Sequence, residues 1–204
     1  TSASISLRAN RANSREYLRH VLRSYGLSRD EITQLVDRLR DYVDRDSEPS
    51  INGMEAAGYK AAGYQRPTNR FLSSPTQLKN VPGWSDALGD NFEHFLDLVT
   101  IDAGNRPNFN TAHPEAMIVY GLNTDAVQKV VGYREQGVFK TLADVNKVTG
   151  HLVPIDPLEF TSVPGDFVRL ILRDRSSGQA HWIGIKLTPR VGNAPFKIAY
   201  RVAI

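Results

Sequence analysis

Apolar residues recur every three or four positions from about Asn13 to Lys147, as in Leu18, Val21, Leu22 and Tyr25, and again in Ile32, Leu35, Val36 and Leu39. That spacing puts them on one face of a helix, so this stretch is expected to be mostly helical. From about Phe160 the pattern changes to short runs of β-branched and aromatic residues, FVRLILRD, AHWIGIKLT and FKIAYRVAI, separated by RSSGQ and PRVGNAP. Runs of this kind bounded by turn residues predict three antiparallel strands. A short SISL, Ser4 to Leu7, is expected to be a further strand that joins them. The fold class is then α+β, with a mostly helical domain inserted into a small antiparallel sheet. The expected organisation is 1–8 as strand and entry, 9–153 as the helical domain and 154–204 as the strands. Asp44 to Pro75 is rich in Gly, Pro and Asn, and so long a connection inside a compact domain usually serves a function or a bound ion.

Two segments of the helical part echo one another. GLSRDEITQLV from Gly26 and GLNTDAVQKVV from Gly121 share a Gly-Leu, then Ser or Asn, then an acid two residues later. Each reads as a tight turn at Gly, an N-cap at Ser28 or Asn123, an early acid suited to the helix dipole, and an apolar stripe. The second copy lies in FNTAHPEAMIVYGLNTDAVQKVVGYREQGVFKTLADVNKVTG, 109–150, which resembles a helix-hairpin-helix module of the kind found in DNA-uptake receptors. In DNA-binding versions a Gly-hydrophobic-Gly hairpin lets backbone N–H groups approach a phosphate. Here the turn is Gly121, Leu122, Asn123, so the second glycine is missing, and Pro154 and Pro157 interrupt the place of a second hairpin. Lys129, Arg134, Lys140 and Lys147 are dispersed and offset by Asp125, Glu135 and Asp144. The module is expected without its phosphate cradle.

Composition narrows the chemistry. Of 204 residues 41% are hydrophobic and 23% charged, which excludes disorder as the overall state. Lys and Arg number 25 against 22 Asp and Glu, a balance that neither demands nucleic acid nor excludes it. There is no cysteine, hence no disulfide, zinc-thiolate site or thiol nucleophile. No run approaches the roughly eighteen apolar residues of a membrane span. The chain begins at Thr1, from which an upstream segment is expected. His20, His94, His113, His151 and His181 lack ligand spacing, and no phosphate-binding loop or nucleophile elbow occurs, so no catalytic residue is assigned. Arg8, Arg11, Arg15, Arg19 and Arg23 recur every three or four residues and form one basic ridge if helical. Asp44, Asp46, Glu48 and Glu55, with Asn52 and a nearby glycine, supply the hard oxygen ligands and sharp turn that calcium prefers.

Asp41 to Trp84, DYVDRDSEPSINGMEAAGYKAAGYQRPTNRFLSSPTQLKNVPGW, resembles the K-type minor pseudopilins of bacterial type II secretion systems. The shared features are the acidic run Asp44, Asp46, Glu48, then Gly53 and Glu55, Tyr59, Arg66-Pro67, Asn69-Arg70, Leu78 and the Pro-Gly turn at Gly83. An Asn-x-Asn-Thr-Ala segment follows at Asn108, Asn110, Thr111 and Ala112, then the helical module and closing strands, an order that agrees over about 190 residues. Ala56 departs from the pattern, because the family often has an acid there. The resemblance implies a pilin-like sheet with a large helical insert and no catalytic role. It implies a place at the tip of a periplasmic pseudopilus with I-type and J-type partners in a heterotrimer, a part in protein export, and secreted substrates as further candidate partners. It also implies anchorage in the inner membrane of a Gram-negative bacterium through an N-terminal helix, and a calcium site on the acidic loop. A DNA-binding helix-hairpin-helix protein of DNA-uptake type is the alternative, and the first reading carries no nucleic-acid partner.

Overall fold

In the computed structural model, which describes residues 5–7, 12–101, 106–188 and 194–203, helix α1 (Ala12–Ser24) reverses into α2 (Arg29–Val43) at Gly26. Gly26 has φ of 80°, a left-handed conformation that costs a glycine little. Ser28 then caps α2: its Oγ accepts the Glu31 N–H at 3.3 Å while the Glu31 carboxylate accepts the Ser28 N–H at 2.8 Å. The two helices pack by the apolar stripes that the sequence shows, burying Leu18, Val21 and Leu22 of α1 and Ile32, Leu35, Val36 and Leu39 of α2. Each such side chain contributes about 1.5–3 kcal/mol when taken out of water. After α3 (Ala56–Ala61) come a 3-10 turn at Pro75–Asn80, α4 (Trp84–Leu88) and α5 (Phe92–Leu98). Trp84 is fully buried against Phe95, and its indole N–H donates to the Leu35 carbonyl at 3.0 Å, tying α4 to α2.

Strand β1 (Ile5–Ser6) pairs in parallel with β2 (Val99–Thr100). Ser4 lies outside the described residues, and the pairing of Ile5 and Ser6 corrects the expectation that this segment joins the C-terminal strands. The chain divides into two compact units, one on Ile5–Ala103 and one on Gly104–Ile204. The single helical domain expected over 9–153 is therefore split, and the hairpin module shares a unit with the strands.

That second unit contains α6 (Pro114–Val119), α7 (Thr124–Arg134) and α8 (Leu142–Thr149), followed by β3 (Phe167–Arg173), β4 (Ala180–Leu187) and β5 (Phe196–Ala203). The strands form one antiparallel sheet in the order β3-β4-β5, as their patterning predicts. The register sets Leu170 opposite Ile183, Leu172 opposite His181 and Ile185 opposite Ile198. Side chains alternate along a strand, so Leu170, Leu172, Ile183, Ile185 and Ile198 share one face. Leu170, Leu172 and Ile198 on that face are 42%, 55% and 44% exposed. On the other face Arg169 stacks on Trp182 at 4.5 Å and the Tyr200 ring crosses Gly184, where a Cβ would lie 2.3 Å from the ring.

Candidate metal centre

Helix α2 carries acids at 37 and 41, spaced i, i+4 and hence on one face, Asp44 is its C-cap with extended backbone, and the loop after the helix folds back onto it. Asp41 is fully buried and organises the loop: its carboxylate accepts the Ser50 N–H at 3.0 Å and the Ser50 hydroxyl at 2.6 Å. Gly53 passes so close that a Cβ there would lie 1.8 Å from Asp41 Oδ2. Asn52 reaches Asp37 at 3.4 Å. From the far side Asn69, in the left-handed region at φ of 51°, donates its N–H to the Tyr42 carbonyl and its side-chain amide to the Asp46 carbonyl.

This frame brings together three of the four expected acids. Oxygens of Asp44, Asp46 and Glu55 lie within 4.8 Å of one another. Glu48 is exposed and stands outside that group; its N–H donates to Asp46 Oδ1 at 3.0 Å and closes the turn. Asp44 and Glu55 are partly exposed as residues, yet Asp44 Oδ1 and Glu55 Oε1 are shut off from solvent without a hydrogen-bond partner. Burial holds the Asp44 carboxyl above its usual range, with Asp46 and Asp41 adding repulsion and Arg40 partly opposing it. Burial does the same for Glu55, with Asp41 and Asp44 next, against one hydrogen bond from the Ala56 N–H.

Orphaned carboxylate oxygens beside like charges are costly unless a cation neutralises them. The donor set is all oxygen, which suits a hard divalent ion such as calcium and not a metal that selects sulfur or imidazole. The residues therefore fit such an ion. Ala56 is the first residue of α3 and exposed, and Glu55 precedes it as N-cap. The positioning role of Asp41 escapes a reading of the sequence, although the i, i+4 spacing of Asp37 and Asp41 signals a face meeting the loop.

The hairpin module is built differently from a phosphate cradle. Gly121, at φ of 95°, and Leu122 both donate their N–H groups to α6 carbonyls, Ile118 at 2.9 Å and Met117 at 3.1 Å. Pro154 packs on the turn so tightly that a Cβ on Gly121 would lie 2.5 Å from its ring. His151 Nε2 is 3.0 Å from the Gly121 carbonyl oxygen. Arg134 turns inward to the Phe109 and Ala112 carbonyls, where burial lowers its pKa, and Lys129 pairs with Asp125 at 2.8 Å. Asn110 holds both backbone groups of Phe139, accepting its N–H at 2.8 Å and donating to its carbonyl at 2.9 Å. The Asn-x-Asn-Thr-Ala segment thus fixes the turn before α8.

Residues 3–100, which include the acid cluster and its frame, match the family model "Type II secretion system (T2SS), protein K". Type II secretion system protein K of Dickeya chrysanthemi is 26% identical over 117 residues, 54% of this chain. The chain spans about a third of the length of that relative, 32%. The fold is similar, with a TM-score of 0.69 and 14% identity, to a chain in the crystal structure of the GspK-GspI-GspJ complex from the enterotoxigenic Escherichia coli type 2 secretion system, over 98% of this chain and 76% of that one. The sequence match to the type II secretion system protein K family thus covers residues 3–100, just under half of the chain, and the likeness over nearly the whole length is one of fold.

Proposed function

We propose that this chain is the periplasmic part of a K-type minor pseudopilin, a non-catalytic subunit that forms the tip of the type II secretion pseudopilus with I-type and J-type partners. In this reading it takes part in protein export and is held at the inner membrane by an N-terminal helix; among the described residues no helix is long and apolar enough to cross a membrane. The carrying observation is the sheet. Leu170, Leu172 and Ile198 stay substantially exposed on one face, and contiguous apolar surface of this kind marks a protein contact. A tip subunit must accept neighbours on one side only, and the sheet, Phe160 to Ile204, is that side. Mixed with the soluble parts of its own I-type and J-type partners, the chain forms a one-to-one-to-one complex burying at least about 1,000 Å². Three separate monomers in light scattering at tens of micromolar, or filaments of this chain alone, would remove the basis of the reading.

Calcium belongs to the same proposal. Asp44, Asp46 and Glu55 would hold the ion, with remaining positions left to backbone carbonyls and water, and its charge would neutralise the orphaned oxygens. Its role is structural: it fastens the loop after α2. The DNA-binding alternative is disfavoured by the covered turn at Gly121 and the inward-facing Arg134.

A further inference from the structure

Beside the acid cluster lies a pocket of about 590 Å³ whose wall carries Arg15, Arg40, Arg45 and Arg70 together with Asp44 and Asp46. Arg40, Arg45 and Arg70 are exposed, and among the described residues no hydrogen bond or ion pair holds their guanidinium groups. Phe71, also in the wall, is 48% exposed. Helix α1 extends the same basic surface: Arg15 is followed at i+4 and i+8 by Arg19 and Arg23, which with Arg29 line a second pocket of about 450 Å³. From Arg15 to Arg23 the helix rises roughly 12 Å.

We propose that this surface binds an acidic segment of a partner protein, with carboxylates taken by Arg40, Arg45 and Arg70 and the segment continuing along Arg19 and Arg23. Arg40, Arg45 and Arg70 present exposed guanidinium groups in the first pocket, which attract an anion where they stand away from the acid cluster. The guanidinium is a planar fork that matches a carboxylate bidentately. The concavity and the Phe71 ring select a peptide, which brings apolar side chains with its acids, over a bare inorganic anion or a flat lipid surface. Asp44 and Asp46 belong to both the pocket and the acid cluster. A cation on the cluster cancels the repulsion that those two carboxylates exert on an incoming acid, so calcium and the segment bind each other's complex more tightly. Only this calcium dependence rests on the calcium reading; the arginine surface stands without it.

The test is fluorescence anisotropy with a labelled hexaglutamate peptide, and hexaglutamine as its uncharged counterpart, at about 100 mM salt where distant charges are screened. Hexaglutamate binds at least about ten-fold tighter than hexaglutamine, and calcium tightens it further. Arg45→Glu with Arg70→Glu weakens binding by more than about ten-fold, and Arg45→Ala alone by a few-fold, each at an unchanged melting temperature. The control pair Arg173→Glu with Arg175→Glu, the same charge change in the other unit, stays within about two-fold. Equal losses for both pairs overturn the proposal, since net charge alone then explains the attraction. It is also overturned if hexaglutamate and hexaglutamine bind alike, or if the chain ignores the peptide and binds inorganic phosphate or vesicles containing phosphatidylglycerol. Calcium raising the melting temperature without hexaglutamate binding sinks this inference and leaves the calcium reading. Binding lost in the Arg45/Arg70 pair but indifferent to calcium leaves the arginine surface standing and overturns its coupling to the ion.

Discussion

Asp44 and Glu55 show how a few atoms set the behaviour of a loop. Both carboxyls are held above their ordinary range in the folded chain, first by burial and then by neighbouring acids. A carboxyl whose folded pKa is raised favours folding while protonated and loses that contribution as pH climbs from the unfolded value through the folded one. In chelator, therefore, these two carboxyls contribute a loss of melting temperature as pH rises from about 4 toward neutrality, opposite in sign to Glu31, Asp144 and Asp174, whose carboxyls are held below their usual range. Asp44→Asn with Glu55→Gln then raises the melting temperature more at pH 7 than near pH 4. Calcium inverts the sign, because it binds the ionised forms: millimolar calcium raises the melting temperature at pH 7 and much less near pH 4. Scanning calorimetry at both pH values decides it, and a melting temperature indifferent to calcium at pH 7 removes the ion from this site. Gly53→Ala adds a test of the frame. Its Cβ would meet the Asp41 carboxylate, so the Ser50 turn must move and the calcium shift is expected to shrink or vanish while α2 itself persists.

At the level of elements, the clearest local device is the cap of α2. Ser28→Ala removes the acceptor of the Glu31 N–H and the hydroxyl that donates to the Glu31 carboxylate, leaving the Ser28 N–H as that carboxylate's donor, at a cost of about 1 kcal/mol by denaturant titration. The matching change Asn123→Ala at α7 removes one such bond, to Ala126, and is expected to cost no more. If neither moves the denaturation midpoint, the echoed turns are not stability determinants. These caps were legible because they are local: Gly, a capping residue and an apolar stripe lie within a dozen positions, and both echoes fold as that order predicts. The three strands were legible for the same reason, since period-two alternation and turn residues mark each one. What escaped was non-local. Two residues, Ile5 and Ser6, carry no pattern that could choose Val99 and Thr100 over the C-terminal strands. Helix α3, AAGYKA, agrees with propensity apart from Gly58, but six residues are too few for a helical period to show in the sequence. The acids of the candidate site were visible as a run, but only folding separates Asp44, Asp46 and Glu55, which converge, from Glu48, which closes a turn.

For the molecule as a whole, a shared fold element has to be separated from a shared function. The module over 109–150 resembles a DNA-backbone clamp in the order of its helices and turn, and a motif alone would assign DNA. Three physical facts point the other way. The N–H groups of Gly121 and Leu122 already donate to α6, Pro154 covers the glycine where a phosphate would have to approach, and Arg134 and Lys129 are spent on internal partners. Phosphate contacts by Lys and Arg are what make DNA affinity steep in salt, at a slope of about −0.9 per contact on a log-log plot. With none poised at the turn, duplex binding is expected to be weak and non-specific near 150 mM salt, in the range of about 10⁻⁴–10⁻⁶ M or weaker. Replacing Pro154 by Ala uncovers part of the turn but restores neither the missing second glycine nor the basic residues, so affinity should stay within a few-fold of wild type. Anisotropy with a short labelled duplex across a salt series measures both. Sub-micromolar binding that weakens steeply with salt and disappears on Lys129→Ala would return the module to its DNA-clamping role and take the tip reading down with it.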